Sequence, residues 1–236
     1  MILILGGTRD AHQIALGLQQ AGIDFVLSLA GVTRKPVQRP YVTRTGGFGG
    51  VDGLAEYLGK KEITGLIDAT HPFAENISRS AVMAATAAGV PLMRYVRPKW
   101  DGAGFHNVSD LHAAAHTLPS RARAFLTVGG KSLDPFTHRS DVWFLFRGVD
   151  PMENPFVQGE ALVQRPPFTL EAETTLMVES GITHLVAKNS GGAQTRAKLD
   201  AAVELGIAVI LVERPVLPMV ENVSTVSDIL RWAEAI

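Results

Sequence analysis

The 236-residue chain carries 22 Lys and Arg against 23 Asp and Glu, a formal net charge of −1, with 46% hydrophobic residues and no cysteine. The charge balance argues against a nucleic-acid partner or an anionic membrane surface held by bulk charge, so recognition of a charged ligand has to be local. The absence of cysteine excludes disulfides, thiolate nucleophiles and cysteine-held zinc or iron–sulfur clusters, so redox chemistry would draw its electrons from a bound cofactor.

Met1-Ile2-Leu3-Ile4-Leu5-Gly6-Gly7 is too short for a signal h-region and lacks a basic lead, so Ile2–Leu5 is read as the first strand of a soluble cytoplasmic protein. No later apolar run approaches the roughly 20 residues that span a bilayer. Phe25–Leu29, residues 65–69 and Leu92–Tyr95 read as further strands, with helical patterns after the first and third. Arg97-Pro98-Lys99-Trp100-Asp101-Gly102-Ala103-Gly104 is aperiodic and rich in Pro and Gly, which places a boundary between a domain over 1–98 and another over 105–236. In the second series, strands are expected at 124–128, 142–146, 184–188 and 208–213, and helices near 109–116, 170–180, 195–205 and 227–235. The expected fold is α/β, two Rossmann-like parallel-sheet domains facing a shared interdomain cleft. Asn107-Val108-Ser109-Asp110-Leu111 and Thr225-Val226-Ser227-Asp228-Ile229 look alike, and Ser109 and Ser227 are read as helix N-caps. Five residues do not establish a duplication.

Strand, Gly6-Gly7-Thr8-Arg9-Asp10, then helix is the layout in which a tight turn brings backbone amides and a helix N-terminus to a phosphate. Gly6, Gly7, Thr8 and Arg9 are therefore candidate cofactor contacts. Counted from Gly6, however, the G-x-G-x-x-G spacing meets Thr8 and Ala11 where glycines are expected, so a turn that merely joins strand to helix is the competing reading. NAD-binding folds place an acidic residue at the end of the second strand, where this chain runs Leu29-Ala30-Gly31-Val32-Thr33-Arg34-Lys35. With no carboxylate there, Gly31, Thr33, Arg34 and Lys35 are candidates to receive a 2′-phosphate, which favours NADPH over NADH. An ordinary solvated basic pair is the alternative.

Thr127-Val128-Gly129-Gly130-Lys131-Ser132 ends like a phosphate-binding P-loop, but the first glycine of that motif would fall on Phe125 and Pro135 cuts short the helix it needs. A loop nest with Lys131 aimed at an anion is what remains of it. Tyr57 and Lys61 have the spacing of a dehydrogenase Tyr–Lys pair, yet Gly59 is expected to interrupt their helix. His112 and His116 lack the companions of a metal site, so no metal is expected, and no G-x-S-x-G elbow is present.

Asp68-Ala69-Thr70-His71-Pro72-Phe73-Ala74-Glu75 follows a buried strand and opens a helix, at the edge where open α/β sheets bind ligands. His71 is a candidate hydrogen-bond donor or proton carrier; in the competing reading Asp68 and His71 only stabilise the turn. Lys188-Asn189-Ser190-Gly191-Gly192 ends a strand before a helix carrying Arg196 and Lys198, which makes an anion site or a plain strand-to-helix turn.

On Leu5-Gly6-Gly7-Thr8-Arg9-Asp10-Ala11, Asp68-Ala69-Thr70-His71-Pro72-Phe73-Ala74, and Lys188-Asn189-Ser190-Gly191-Gly192 with Lys198-Leu199 and Leu205-Gly206-Ile207, the chain resembles the precorrin-6A reductases and their cobalt-precorrin-6A counterparts. The resemblance implies a two-domain enzyme that binds NADPH in its cleft and passes hydride to precorrin-6A, giving precorrin-6B in cobalamin biosynthesis. It also implies a polycarboxylate tetrapyrrole as small-molecule partner, with other enzymes of the corrin pathway as candidate partners. Carried over position by position, Gly7, Thr8 and Arg9 meet the cofactor phosphates, Thr70 and His71 approach cofactor or substrate, and Ser190, Gly191 and Gly192 close the cleft as further cofactor contacts. Arg9, Arg94, Lys131, Lys188, Lys198 and Arg214 would hold the substrate carboxylates. The cobalt-bearing substrate and a non-catalytic NADPH or ligand sensor are the alternatives.

Overall fold

A computed structural model of the chain describes residues 1–31, 40–193 and 195–236. In chain order its regular elements are β1 Ile2–Leu5, α1 Arg9–Gln20, β2 Phe25–Leu29, β3 Thr43–Thr45, α2 Val51–Lys60, β4 Gly65–Asp68, α3 Glu75–Ala88 and β5 Leu92–Tyr95. They continue with β6 His106–Val108, α4 Leu111–Thr117, β7 Arg123–Thr127, β8 Trp143–Gly148, β9 Gly159–Val163, α5 Leu170–Glu179, β10 His184–Lys188, α6 Ala197–Glu204, β11 Ala208–Val212, β12 Asn222–Val223 and α7 Val226–Glu234. The chain divides into two compact units, Met1–Pro98 with Val216–Ile236, and Lys99–Pro215. No helix among the described residues is long and apolar enough to cross a membrane.

The first unit is a six-stranded parallel sheet in the order β12-β5-β4-β1-β2-β3. Its central strand is apolar on both faces because both are covered. Ile2 and Ile4 pack with Ile14, Leu18 and Ile229 from α1 and α7, whereas Leu3 and Leu5 pack with Leu54 and Ala81 from α2 and α3. Ala11, Ile14, Ala15 and Leu18 are the buried residues of α1, the spacing of a single helical stripe. Gly59 lies inside α2 rather than breaking it, contrary to the expectation from sequence, because the apolar face set by Leu54 and Leu58 outweighs about 1 kcal/mol of glycine penalty. Tyr57 stacks edge-on against Phe48.

The second unit is also a six-stranded parallel sheet, ordered β6-β11-β10-β7-β8-β9. Phe125, Leu145, Leu185 and Leu211 on its strands pack with Met177 and Leu199 from α5 and α6. After β7, two short 3-10 turns, Gly130–Ser132 and Asp134–Phe136, stand where a P-loop would have a long helix, with Pro135 in the second.

The two sheets follow the same 3-2-1-4-5-6 doubly wound order, and they exchange their sixth strands. β6 follows β5 in the chain but pairs with β11, and β12 follows β11 but pairs with β5. The sequence expectation that everything after 105 forms one domain is therefore corrected: Val216–Ile236 returns to the first unit. The physical reason lies in glycines that receive α7. A Cβ on Gly17 would stand 2.9 Å from Leu230, and one on Gly65 would stand 3.1 Å from Trp232 and 2.2 Å from Ile236, just past that helix. The N-caps are also corrected. Asp110 caps α4 by accepting from Ala113 N and Thr225 caps α7 by accepting from Asp228 N, while Ser109 instead donates to Asp110. The equivalent segments are thus Asn107-Val108-Ser109-Asp110 and Asn222-Val223-Ser224-Thr225, each the end of a sixth strand running into a helix cap.

Candidate functional site

In the first unit the helices after β1 and β4 leave for opposite faces of the sheet, which opens a crevice at the carboxyl ends of these neighbouring strands. The turn after β1 is shaped for it. A Cβ on Gly6 would meet Leu27 Cδ1 at 2.6 Å, so this glycine lets the turn lie on β2. Gly7 has φ +113° and nothing within 4 Å of where a Cβ would be, so its backbone faces open space. Thr8 closes the turn: its hydroxyl accepts from Ala11 N at 3.0 Å and donates to Ala69 O at 2.9 Å, tying the exit of β1 to that of β4. Arg9 begins α1 and is exposed. Asp10, in the first turn of α1, pairs with Arg97 at 3.2 Å.

At the end of β2, Gly31 has φ +74° and would bring a Cβ within 3.0 Å of Thr45. Thr33, Arg34 and Lys35 lie outside the described residues. The cation that the structure does place here is Arg44 on β3, which left no motif in the sequence. Its Nη1 donates to Ser28 Oγ at 2.8 Å and Gly46 O at 3.0 Å, and its guanidinium lies 3.8 Å from the centre of the Phe48 ring.

After β4, Asp68 is 1% exposed and organises its surroundings. It accepts from Thr70 Oγ1 at 2.6 Å, from Thr70 N at 3.3 Å and from Arg94 Nε at 3.1 Å. Arg94 also donates to Pro218 O at 3.0 Å, and its Nη2 is buried without a hydrogen-bond partner. Arg94, a candidate for the substrate, is a buried cation whose Nε pairs with Asp68. The Asp68 carboxylate stands in for solvent, and through Pro218 the guanidinium holds the returning chain. Thr70 keeps acceptor capacity only, since its hydroxyl hydrogen is committed to Asp68. His71 is exposed at the mouth of the crevice, where its Nδ1 accepts from Phe73 N at 3.2 Å. That bond assigns the imidazole proton to Nε2. Asp68 stabilises the turn through Thr70 and Arg94.

The equivalent strands of the second unit are β7 and β10. Gly129 has φ +88°, Lys131 is exposed in the 3-10 turn that follows, and Lys188 Nζ donates to Ser132 Oγ at 2.7 Å, so one polar bond again links the two exits. Burial pushes the Lys188 ammonium pKa down. Asn189 is buried and clamps the backbone of Trp100, accepting from its N at 2.9 Å and donating to its O at 3.3 Å. The Trp100 indole donates to Gly192 O at 2.8 Å, which fixes a turn whose Gly191 and Gly192 have φ of +69° and +83°. Ser190 is buried and its N donates to Lys188 O at 2.6 Å. Arg214 donates to Asn189 O at 2.9 Å and to Ser190 O at 3.3 Å, bracing the turn from β11. The linker around Trp100 is thus packed structure, which its aperiodic sequence did not disclose.

Behind this turn lies a buried cluster. Arg147 on β8 makes a bidentate pair with Glu173 on α5, at 2.6 and 3.1 Å, and its guanidinium lies 4.0 Å from the Phe168 ring centre. Lys198, second residue of α6, is 7% exposed, and its Nζ lies 5.8 Å from the Trp100 ring centre. Burial pushes its pKa down to about 8, Glu173 opposing and Arg147 adding to the shift. Arg147, Glu173 and Trp100 carry no sequence motif; a lone glutamate on the buried side of α5 is the signal that a cation had to face it.

Two doubly wound parallel sheets, each with a glycine turn at its switch point, define the class of dinucleotide-type α/β proteins, here in a sequence without cysteine. Residues 1–234 match the family model described as precorrin-6x reductase CbiJ/CobK, and the chain belongs to that family. It is 42% identical to the precorrin-6A reductase of Rhodobacter capsulatus, covering 98% of this chain and 94% of that protein. It is 44% identical to the precorrin-6A reductase of Rhodococcus erythropolis, covering 98% and 96%. The cobalt-precorrin-6A reductase of Priestia megaterium is 28% identical over 98% of this chain and 96% of its own. A solved structure titled CobK precorrin-6A reductase superposes with a TM-score of 0.93 at 42% identity, covering 99% of this chain and 96% of that one. The chain is accordingly an oxidoreductase of a reductase family, which implies a nicotinamide cofactor.

Proposed function

We propose that this protein is a cytoplasmic, NADPH-dependent precorrin-6A reductase that forms precorrin-6B. The observation that carries the reading is the pair of equivalent switch points with opposite chemistry: an open amide turn at Gly7 in the first unit, and a turn flanked by Lys131 and Lys188 in the second. The first suits the pyrophosphate of a dinucleotide, which Gly6, Gly7, Thr8 and Arg9 would hold at the N-terminus of α1. Gly31, Thr33 and Arg34 would receive the 2′-phosphate, which no carboxylate in that stretch of sequence repels. Bound NADPH would supply the hydride, so the protein needs no nucleophile of its own.

What the chain's residues contribute is position and charge. Lys131 and Lys188 would hold carboxylates of the tetrapyrrole, and the turn Ser190, Gly191 and Gly192, kept in shape by Arg214, would contact the cofactor. Thr70 borders the cofactor turn as an acceptor, and His71 offers Nε2–H at the crevice mouth. Orientation of donor and acceptor then supplies most of the rate. The metal-free substrate is favoured because the named precorrin-6A reductases, at 42% and 44%, share more of this chain than the cobalt-precorrin-6A reductase at 28%.

The test is anaerobic incubation of the purified protein with NADPH and precorrin-6A, following nicotinamide absorbance and the macrocycle spectrum together. Stoichiometric loss of both is expected. Turnover of the cobalt form alone would overturn the choice of substrate. NADPH binding without consumption on either tetrapyrrole would leave a sensor.

A further inference from the structure

The second unit buries three charged side chains together, Arg147, Glu173 and Lys198, contributed by β8, α5 and α6. The bidentate bonds of Glu173 go to Arg147, at 2.6 and 3.1 Å, so the pair is internally neutral and Lys198 is left as an uncompensated cation. Lys198 Nζ makes no hydrogen bond to the described residues; it has the Trp100 ring at 5.8 Å, and the residue as a whole is 7% exposed. It is not one of the two sealed side-chain nitrogens without a hydrogen-bond partner, which are Arg94 Nη2 and Arg147 Nε. Its position is adverse as well. It stands in the first turn of α6, where the helix dipole favours an anion, and it follows the positive-φ turn Gly191-Gly192. An ammonium buried without a paired carboxylate is costly, and an incoming anion would relieve that cost.

We propose that Lys198 is the cation of a built carboxylate site, and that one carboxylate of the tetrapyrrole completes the Arg147, Glu173 and Lys198 cluster. The inference rests on the proposed substrate and deepens it, because it selects one buried contact among many surface ones. It has a consequence that exposed lysines lack. With its pKa near 8 the free amine is mostly neutral in mild alkali, and a bound carboxylate raises that pKa, so binding draws a proton from the buffer onto Nζ. The charged groups facing Nζ are Glu173 from α5 and Arg147 from β8. On its own helix Arg196 and Asp200 pair with each other at 2.8 Å.

Anaerobic titration calorimetry of precorrin-6A into the full-length protein, at about pH 8.5 in buffers of different ionisation enthalpy, reads the proton directly. The wild type is expected to take up most of one proton per tetrapyrrole bound. Lys198→Arg, always charged, should bind within a few-fold and take up none. Lys198→Met should take up none and bind roughly ten- to a hundredfold more weakly. Equal uptake by the wild type and Lys198→Arg, or wild-type affinity in Lys198→Met, would overturn the proposal. Titration with NADPH alone is the second arm: uptake there and not with precorrin-6A would assign the anion to a phosphate and overturn the carboxylate. If precorrin-6A is reduced while Lys198→Met behaves as wild type, this inference fails and the substrate stands. If the wild type neither binds nor reduces precorrin-6A, both fall.

Discussion

At the exit of β1 one hydroxyl does two things, capping α1 and joining the ends of β1 and β4 through Ala69 O. Thr8→Val keeps the shape and removes both bonds. It is expected to destabilise the protein by roughly 1–2 kcal/mol and to weaken NADPH binding, read by thermal unfolding and fluorescence titration. Asp68 and Arg94 are a sharper case, because each is buried and each neutralises the other at 3.1 Å. Asp68→Asn should cost about 3–5 kcal/mol by stranding the guanidinium, whereas Asp68→Leu combined with Arg94→Met should recover much of the loss in a double-mutant cycle. Lys198 carries the opposite sign. Its folded pKa, about 8, lies below the 10.5 of an ordinary lysine, so between these values the unfolded chain binds more protons and stability rises with pH. Lys198→Met should remove that rise in denaturant titrations between pH 8 and 10.5, a term on the order of 3 kcal/mol.

Among the elements, eight strands announce themselves in the sequence as apolar runs, and four do not. Those four, β3, β6, β9 and β12, are the edge strands of the two sheets. Central strands are covered on both faces and read as continuous apolar sequence, as in Ile2–Leu5. Edge strands such as Thr43–Thr45 and Asn222–Val223 are short and half exposed, so nothing in their composition separates them from loops. The turns at the carboxyl ends of β1, β4 and β10 were legible because glycine, threonine and lysine there have no packing role that an apolar residue would fill better. Trp100, Arg147 and Glu173 were not, because their partners lie far along the chain: Trp100 and Asn189 meet across 89 residues, Arg147 and Glu173 across 26.

For the molecule as a whole, the exchange of sixth strands makes the two units unequal. Lys99–Pro215 contains all six strands of its own sheet in one continuous segment, whereas Met1–Pro98 lacks β12 and α7. The fragment 99–215 should therefore fold alone with cooperative unfolding and protected amides. The fragment 1–98 should not, since it exposes the face of α1 that Ile229 and Leu230 cover and the edge of β5 that β12 pairs with. Adding the peptide 216–236 in trans should restore its circular dichroism and protease resistance. Independent folding of 1–98 would mean that the returning strand is an ornament.

The sequence by itself determined the class of fold, the glycine turns at the switch points and the family, because periodicity and short motifs are local and survive without coordinates. The tertiary structure alone decided which unit owns Val216–Ile236, that Arg94 pairs with Asp68, and that Lys198 stands beside a pair already neutral. These are questions of which charge or strand meets which. Pairing depends on distance in space, and the spacing of residues along a chain does not encode it.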